Sequence, residues 1–116
     1  MDDALTVVEY VQADGSNPYR SWFASLQGIA AVKVETVVFR LRAGNTSRVK
    51  WIGAIGECRI DWGPGLRIYL AKDGDRLVIL LGGSTKQRQQ AAIERAKAMW
   101  REYKARKESA ARAKGI

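Results

Sequence analysis

Two short alternating segments joined by a tight turn constrain the fold of this chain more than any other feature. In residues 57–62 the odd-numbered side chains share one face of a strand, and Arg59 lies on that face. In residues 66–70, Arg67 and Tyr69 point one way and three aliphatic side chains point the other way. The pattern predicts a hairpin whose aliphatic face enters the core and whose opposite face brings two arginines together.

The segment before this hairpin predicts a strand and two helices. Residues 5–12 are rich in β-branched and aromatic side chains, which favours a strand. Asn17 and Pro18 are typical of a helix N-cap and first turn. Apolar side chains then recur at helical spacing until Gly28, at Tyr19, Trp22, Phe23 and Leu26.

A second helix is predicted over residues 29–43, although its many valines also favour a strand. Its apolar residues share one face: Ala30, Val34, Val37, Val38 and Leu41. Gly44 and Asn45 are typical of the C-terminal cap of a helix. These two helices are expected to form a hairpin laid across the sheet.

The second half of the chain predicts strands and a long final helix. The strands are expected at residues 48–52, 55–62, 66–72 and 77–81, and the last of them is wholly apolar and therefore expected inside the sheet. Ser84 and Gln87 fit a capping box for the final helix. Its buried stripe is expected at Ala92, Ile93, Ala96, Met99, Trp100 and Tyr103.

The predicted fold class is α+β, with the element order β-α-α-β-β-β-α. We expect a short, twisted, mainly antiparallel sheet with an N-terminal helical hairpin and a basic C-terminal helix, the helices lying at the edges of the sheet or on one face. A single domain is expected over residues 1–106, followed by a basic, frayed tail over residues 107–116.

The positive charge of the chain is concentrated at its C-terminal end. The net charge of the 116 residues is +8, and residues 86–116 hold ten Lys or Arg and three acids, which leaves +1 for the rest. Such asymmetry indicates a polyanionic or acidic partner, or a solvated helix face. The single cysteine, Cys58, and the absence of a signal-like start or a long apolar run predict a cytoplasmic protein without membrane contact.

The residue types exclude several kinds of chemistry and favour phosphate binding. The chain has no histidine and no metal-ligand spacing, so we expect neither a metal site nor a cofactor. Lys50, Lys86 and Arg88 are expected to join Arg59 and Arg67 in a basic cluster suited to phosphate. The alternative is that both arginines are ordinary solvent-facing residues, Arg59 being paired with a neighbouring acid.

Residues 56–69 closely resemble the Glu-Leu-Arg-Ile…Gly-Pro-Gly-Tyr-Arg-Val-Tyr signature of RelE/HigB-like type II toxins. The match is closest to the phage-derived "addiction module killer protein" branch of the RelE/ParE superfamily. It continues through residues 80–87 and 93–100, and it covers roughly residues 5–103. The resemblance implies the compact RelE/ParE-like fold.

The resemblance also implies roles for particular residues. Arg59 matches the strand arginine that contacts the scissile phosphate, and Arg67 and Tyr69 match the second arginine and the tyrosine of the signature. Lys86 or Arg88 matches the basic residue that stabilises the transition state. Lys50 lies near a lysine that is catalytic in some members. The implied catalytic residues are therefore Arg59, Arg67, Lys86 and Tyr69, with Lys50, Arg88 and Arg95 as RNA-binding residues.

The implied activity is that of a toxin–antitoxin toxin which inhibits translation. It would be a ribosome-dependent mRNA endonuclease, or mRNA interferase, acting by metal-independent attack of the RNA 2′-hydroxyl. Its partners would be the ribosome, mRNA and a HigA/Xre-like helix-turn-helix antitoxin. Several active members carry a C-terminal catalytic tyrosine or histidine, and residues 89–93 here have neither. Glu57, Asp61, Tyr69 or a lysine is then left as the base.

Two other functions share the same fold. ParE-like relatives inhibit DNA gyrase without enzymatic chemistry. A degenerate toxin fold would bind an antitoxin or RNA and neither cut mRNA nor arrest growth.

Overall fold

The computed structural model describes residues 3–115, which form five strands and three α-helices. The elements in chain order are β1 (Thr6–Glu9), α1 (Pro18–Ala24), α2 (Ile29–Arg42), β2 (Val49–Ile52), β3 (Ile55–Ile60), β4 (Leu66–Asp73), β5 (Leu77–Thr85), a 3₁₀ turn (Lys86–Arg88) and α3 (Gln89–Lys114). The predicted α+β class is confirmed. No helix in this part of the chain has the length and apolarity needed to cross a membrane.

All five strands belong to one sheet, in the order β1-β5-β4-β3-β2. Neighbouring strands are antiparallel except for β1, which lies parallel to β5. The mainly antiparallel sheet is therefore confirmed, as is the prediction that the apolar strand β5 lies inside it. The two short strands β1 and β2 form the edges.

Helices cover both faces of the sheet, because the strands present apolar side chains on both. On one face, Val34 and Leu41 of α2 and Tyr19 of α1 pack against Ile68 and Leu80. On the other face, α3 packs its apolar stripe against side chains of β3, β4 and β5. The prediction that the helices lie only at the edges or on one face is wrong.

Local sequence explains why the first two helices begin and lie where they do. The Asn17 side chain accepts a hydrogen bond from the backbone N–H of Arg20, and Pro18 occupies the first turn, as predicted. In α2 the predicted apolar face is buried at Ala30, Val34, Val38 and Leu41. Burial of this face outweighs the low helix propensity of the valines.

The structure differs from the sequence-based predictions in the second half of the chain. Four strands, not three, separate α2 from α3, so the predicted order was one strand short, although each segment predicted there is a strand. The capping box is wrong: Ser84 lies within β5, and the cap position of the 3₁₀ turn is Thr85, without a side-chain hydrogen bond. Helix α3 extends to Lys114, through the segment for which fraying was predicted.

Two finer features of the predicted fold stay predictions. These are the specific RelE/ParE arrangement and the pairing of α1 with α2 as a helical hairpin. Each of these helices packs on the sheet, α1 against β5 and α2 against β1 and β3.

Candidate functional site

Two rows of side chains run across the sheet on the face that α3 partly covers. In the first row, Arg59 of β3 is the direct register partner of Arg67 on β4, and Arg67 in turn faces Ser84 on β5. Directly opposite residues of an antiparallel pair project from the same face, about 5 Å apart. The prediction that the two arginines share a face is confirmed.

The second row lies beside the first and contains a buried carboxylate. Lys50, Glu57 and Tyr69 are successive register partners on β2, β3 and β4. Glu57 is fully buried. Its Oε1 accepts a hydrogen bond from Nε of Arg59 at 2.9 Å, and its Oε2 accepts one from Nε2 of Gln89 at 2.7 Å. Since a buried charge must be paired, Glu57 holds the Arg59 guanidinium in place.

Arg67 has different surroundings from its partner. It is only 4% exposed, and its Nη1 donates to the backbone oxygen of Leu66 at 3.0 Å. Its Nε is buried and has no hydrogen-bond partner among the described residues. Buried guanidinium N–H groups are normally satisfied, so this donor beside a second arginine would be stabilised by an anion oxygen that came within its reach.

A glycine turn brings Lys86 next to Arg67. The backbone N–H of Lys86 donates to the oxygen of Gly65 at 2.9 Å. A Cβ atom at Gly65 would lie 3.2 Å from Cβ of Lys86 and 3.4 Å from Nη1 of Arg67, and the glycine has a φ of +78°. Glycine therefore permits both the turn and this close approach. The Lys86 side chain is exposed, which leaves its charge free to move toward a ligand.

Tyr69 lies under this surface as a protonated, buried phenol. It is 1% exposed, and its hydroxyl shares a 3.0 Å hydrogen bond with Oγ of Ser84. Burial raises the pKa of Tyr69 above its usual value. The phenol therefore keeps its proton at neutral pH. Its hydrogen bond to Ser84 gives it a structural role beside the arginine row.

The three residues predicted to bind RNA lie at different places. Lys50 is exposed on the edge strand β2 and, as the register partner of Glu57, shares the face of the arginines. Arg88 is exposed at the end of the 3₁₀ turn. Arg95 lies further along α3, where it lines a separate cleft together with Gly82. The basic surface is thus broader than a single cluster.

Sequence reasoning missed two residues that position this surface, Gln89 and Ser84. Gln89 reaches Glu57 from the first turn of α3, and Ser84 bonds the hydroxyl of Tyr69. If the last strand had been predicted to continue to Thr85, the alternation of its side chains would have placed Ser84 near Arg67. No local signal pairs Gln89 with Glu57, because their contact depends on how α3 packs on the sheet.

The arrangement is suited to bind a phosphodiester and to stabilise added negative charge on it. Two guanidinium groups lie opposite each other at one point of the sheet, and the exposed Lys86 follows directly after β5. Preorganised donors of this kind are a main source of transition-state stabilisation for anionic intermediates. Arg59 keeps about half of its side chain exposed, so this point is accessible to a large substrate.

Comparison with known proteins finds a relative that matches most of the chain. No family model matches the chain. An uncharacterized protein from Haemophilus influenzae is 35% identical over 94 residues, which cover 79% of this chain and 95% of that protein. The match therefore extends over almost the whole relative.

Proposed function

This chain and the uncharacterized Haemophilus influenzae protein belong to one family, and we propose that the chain is the toxin of a type II toxin–antitoxin pair that cuts mRNA on the ribosome. The observation that carries the proposal is the arginine row. Arg59 and Arg67 are register partners, and the buried Nε of Arg67 has no partner within residues 3–115. The RelE/HigB-like signature described above coincides with this row.

The reaction is a transfer of the phosphodiester to the neighbouring ribose hydroxyl. The 2′-oxygen attacks phosphorus, the bond from phosphorus to the 5′-oxygen breaks, and the products are a 2′,3′-cyclic phosphate and a 5′-hydroxyl end. The proton of the 2′-hydroxyl is removed, and the 5′-oxygen gains one. Arg59, Arg67 and Lys86 stabilise the doubly charged phosphorane-like transition state.

Some of the proposed bases are better placed than others. Tyr69 is buried with a raised pKa, and both carboxylate oxygens of Glu57 already accept hydrogen bonds. Lys50 is exposed on β2, and Asp61 is exposed directly after β3. We therefore assign proton removal to the exposed groups or to the ribosome, which also supplies much of the substrate alignment.

The exposed side of α3 supports docking on ribosomal RNA. Arg95, Arg101 and Lys104 form no ion pair with any described residue. Trp100 stacks on Tyr103 at 5.3 Å, and the Lys104 ammonium lies 5.5 Å from the Trp100 ring. Cations interleaved with aromatic rings bind the phosphates and bases of RNA. A helix-turn-helix antitoxin remains the proposed protein partner.

Induced expression in a bacterial host tests the proposal. We expect incorporation of labelled methionine to stop within minutes while the supercoiling of a reporter plasmid stays unchanged. The variant Arg59→Ala should restore incorporation, and the variant Arg112→Ala, which removes an exposed cation at the far end of α3, should not. Loss of supercoiling with continued translation would favour gyrase inhibition, and no effect on either would favour a binding module.

A further inference from the structure

A cleft of about 250 Å³ opens between α1, β5 and α3, beside the row that contains Tyr69. The described residues that line it are mostly apolar or aromatic, and one of them is a cation. The ones that matter are Pro18, Trp22, Tyr69, Gly82, Arg95 and Met99. The volume is small for a drug-sized ligand and suits one flat ring system.

Among the described residues, no strand pairs with the outer side of β5 beyond Leu80, and α1 packs there instead. The pairing of β1 with β5 ends at Glu9 and Leu80, and the register of β4 and β5 shifts between Tyr69 and Leu70. An edge without a neighbouring strand offers backbone N–H and C=O groups to a ligand, and such irregularities are common beside functional sites.

Two neighbouring glycines have opposite roles at this edge. A Cβ at Gly83 would lie 2.2 Å from the Trp22 indole, so Gly83 is required for the ring to pack on the strand. A Cβ at Gly82 would meet no described atom within 4 Å. The missing side chain of Gly82 is therefore not filled by packing, and it opens space in the cleft.

The lining chemistry matches a nucleobase better than a peptide or an aliphatic chain. Trp22 and the exposed Arg95 guanidinium are flat groups on which bases stack, and Met99 adds a polarizable sulfur. Within residues 3–115 no carboxylate lines the cleft, so none of its lining groups repels a nucleotide phosphate.

The position of the cleft relative to Arg67 fits a single nucleotide. Gly82 is the register partner of Tyr69, and Tyr69 lies two residues along β4 from Arg67. Two residues along the strand and one strand across separate Gly82 from Arg67 by roughly 8 Å between Cα atoms, a separation that one nucleotide can span from phosphate to base. Resting on the proposed function, we propose that this cleft binds the base of the nucleotide whose phosphate is held by Arg67 and Arg59.

Calorimetry with three kinds of small probe tests this site on the intact chain. Inorganic phosphate, ribose 5-phosphate and the four nucleoside 3′-monophosphates are titrated into the wild type. At least one nucleotide is expected to bind about tenfold or more tighter than ribose 5-phosphate, because its base stacks in the cleft. Gly82→Val places a β-branched side chain in the cleft. It should abolish the tighter binding of the nucleotide and leave the affinity for ribose 5-phosphate unchanged.

Thr36→Val on the exposed side of α2 serves as the matched control and should retain the gain. Equal affinities of the wild type for ribose 5-phosphate and every nucleotide would overturn the base site while leaving the phosphate site intact. Absence of binding for all probes would overturn both. If Gly82→Val fails to fold, NMR of the wild type tests the site through the indole N–H resonance of Trp22. This resonance should shift when the nucleotide is added and should not shift with ribose 5-phosphate. Equal shifts with both probes would refute the inference.

Discussion

Arg59 and Arg67 are direct register partners on adjacent antiparallel strands, yet one is held at the surface and the other is buried. The Arg59 side chain is 48% exposed and pairs with the buried Glu57, whereas Arg67 is 4% exposed and has one buried N–H without a hydrogen-bond partner among the described residues. The pair thus combines an accessible cation, Arg59, with a buried one, Arg67. This combination can both admit and orient a phosphodiester.

Replacement of Arg59 tests the ion pair with Glu57. We expect Arg59→Ala to lower the free energy of unfolding by about 1–2 kcal/mol, because the buried carboxylate loses one of its two partners and half of the arginine was already solvated. Urea titration followed by circular dichroism measures the change. Arg112→Ala breaks an exposed helix pair with Glu108 and should change stability by less than ~0.5 kcal/mol. Equal effects of the two substitutions would show that the ion pair between Arg59 and Glu57 contributes no more than an exposed pair.

Removal of the Tyr69 hydroxyl separates a structural role from a catalytic one. Tyr69→Phe should cost about 1 kcal/mol of stability, since Ser84 loses one hydrogen bond but keeps its bond to the Thr85 oxygen. Because burial raises the pKa of the phenol, it is not a base at neutral pH, and cleavage should persist within about tenfold of the wild type. A loss of cleavage by two orders of magnitude without unfolding would show that the hydroxyl takes part in the reaction.

The contact between Asp73 and the end of α3 predicts a pH-dependent stability. The hydrogen bonds from Lys107 and then from Tyr103 lower the pKa of Asp73. Because the pKa of Asp73 is lower in the folded chain, its ionised carboxylate stabilises the fold at pH values above the ordinary carboxyl pKa. This stabilisation is lost as the pH falls through the lowered pKa of the folded chain. Asp73→Asn should therefore destabilise the chain by about 1 kcal/mol at pH 7 and by almost nothing near pH 2.

The matched control for this measurement is Asp75→Asn in the same turn. Asp75 forms no ion pair with another described residue, so its replacement at pH 7 should cost much less stability than Asp73→Asn. A constant difference between Asp73→Asn and the wild type from pH 7 to pH 2 would contradict the proposed contact.

The single cysteine is expected to be unreactive in the folded protein. Cys58 is 2% exposed, and burial, followed by the charge of Glu57, raises the pKa of its thiol to about 11. Iodoacetamide at pH 8 should therefore modify it only as fast as the chain unfolds, and rapidly in 8 M urea. Rapid alkylation of the folded chain would show that this side of β3 opens.

The hairpin was predictable because a strand has a period of two residues. Alternation alone placed Arg59 and Arg67 on one face and Ile68 in the core. The apolar spacing of α2 was also sufficient, despite its valines, because four side chains one turn apart must be buried together.

The remaining differences arise from contacts that are distant in sequence. Gly82 and Gly83 suggest the end of a strand, but pairing with β4 continues β5 to Thr85. Gln89 and Glu57 lie 32 positions apart and meet only after α3 packs on the sheet. The extension of α3 beyond residue 106 agrees with the docking of Lys107 on Asp73, which no local pattern indicates.

Mapping of mRNA 5′ ends on programmed ribosomes tests the central claim most directly. Wild-type protein is expected to produce new 5′-hydroxyl ends paired with 2′,3′-cyclic phosphates. Arg59→Ala and Arg67→Ala, checked for folding, should reduce them about 10²–10³-fold. The absence of such ends with the wild type, or undiminished cleavage by both folded variants, would contradict the assignment of this arginine row to a scissile phosphate.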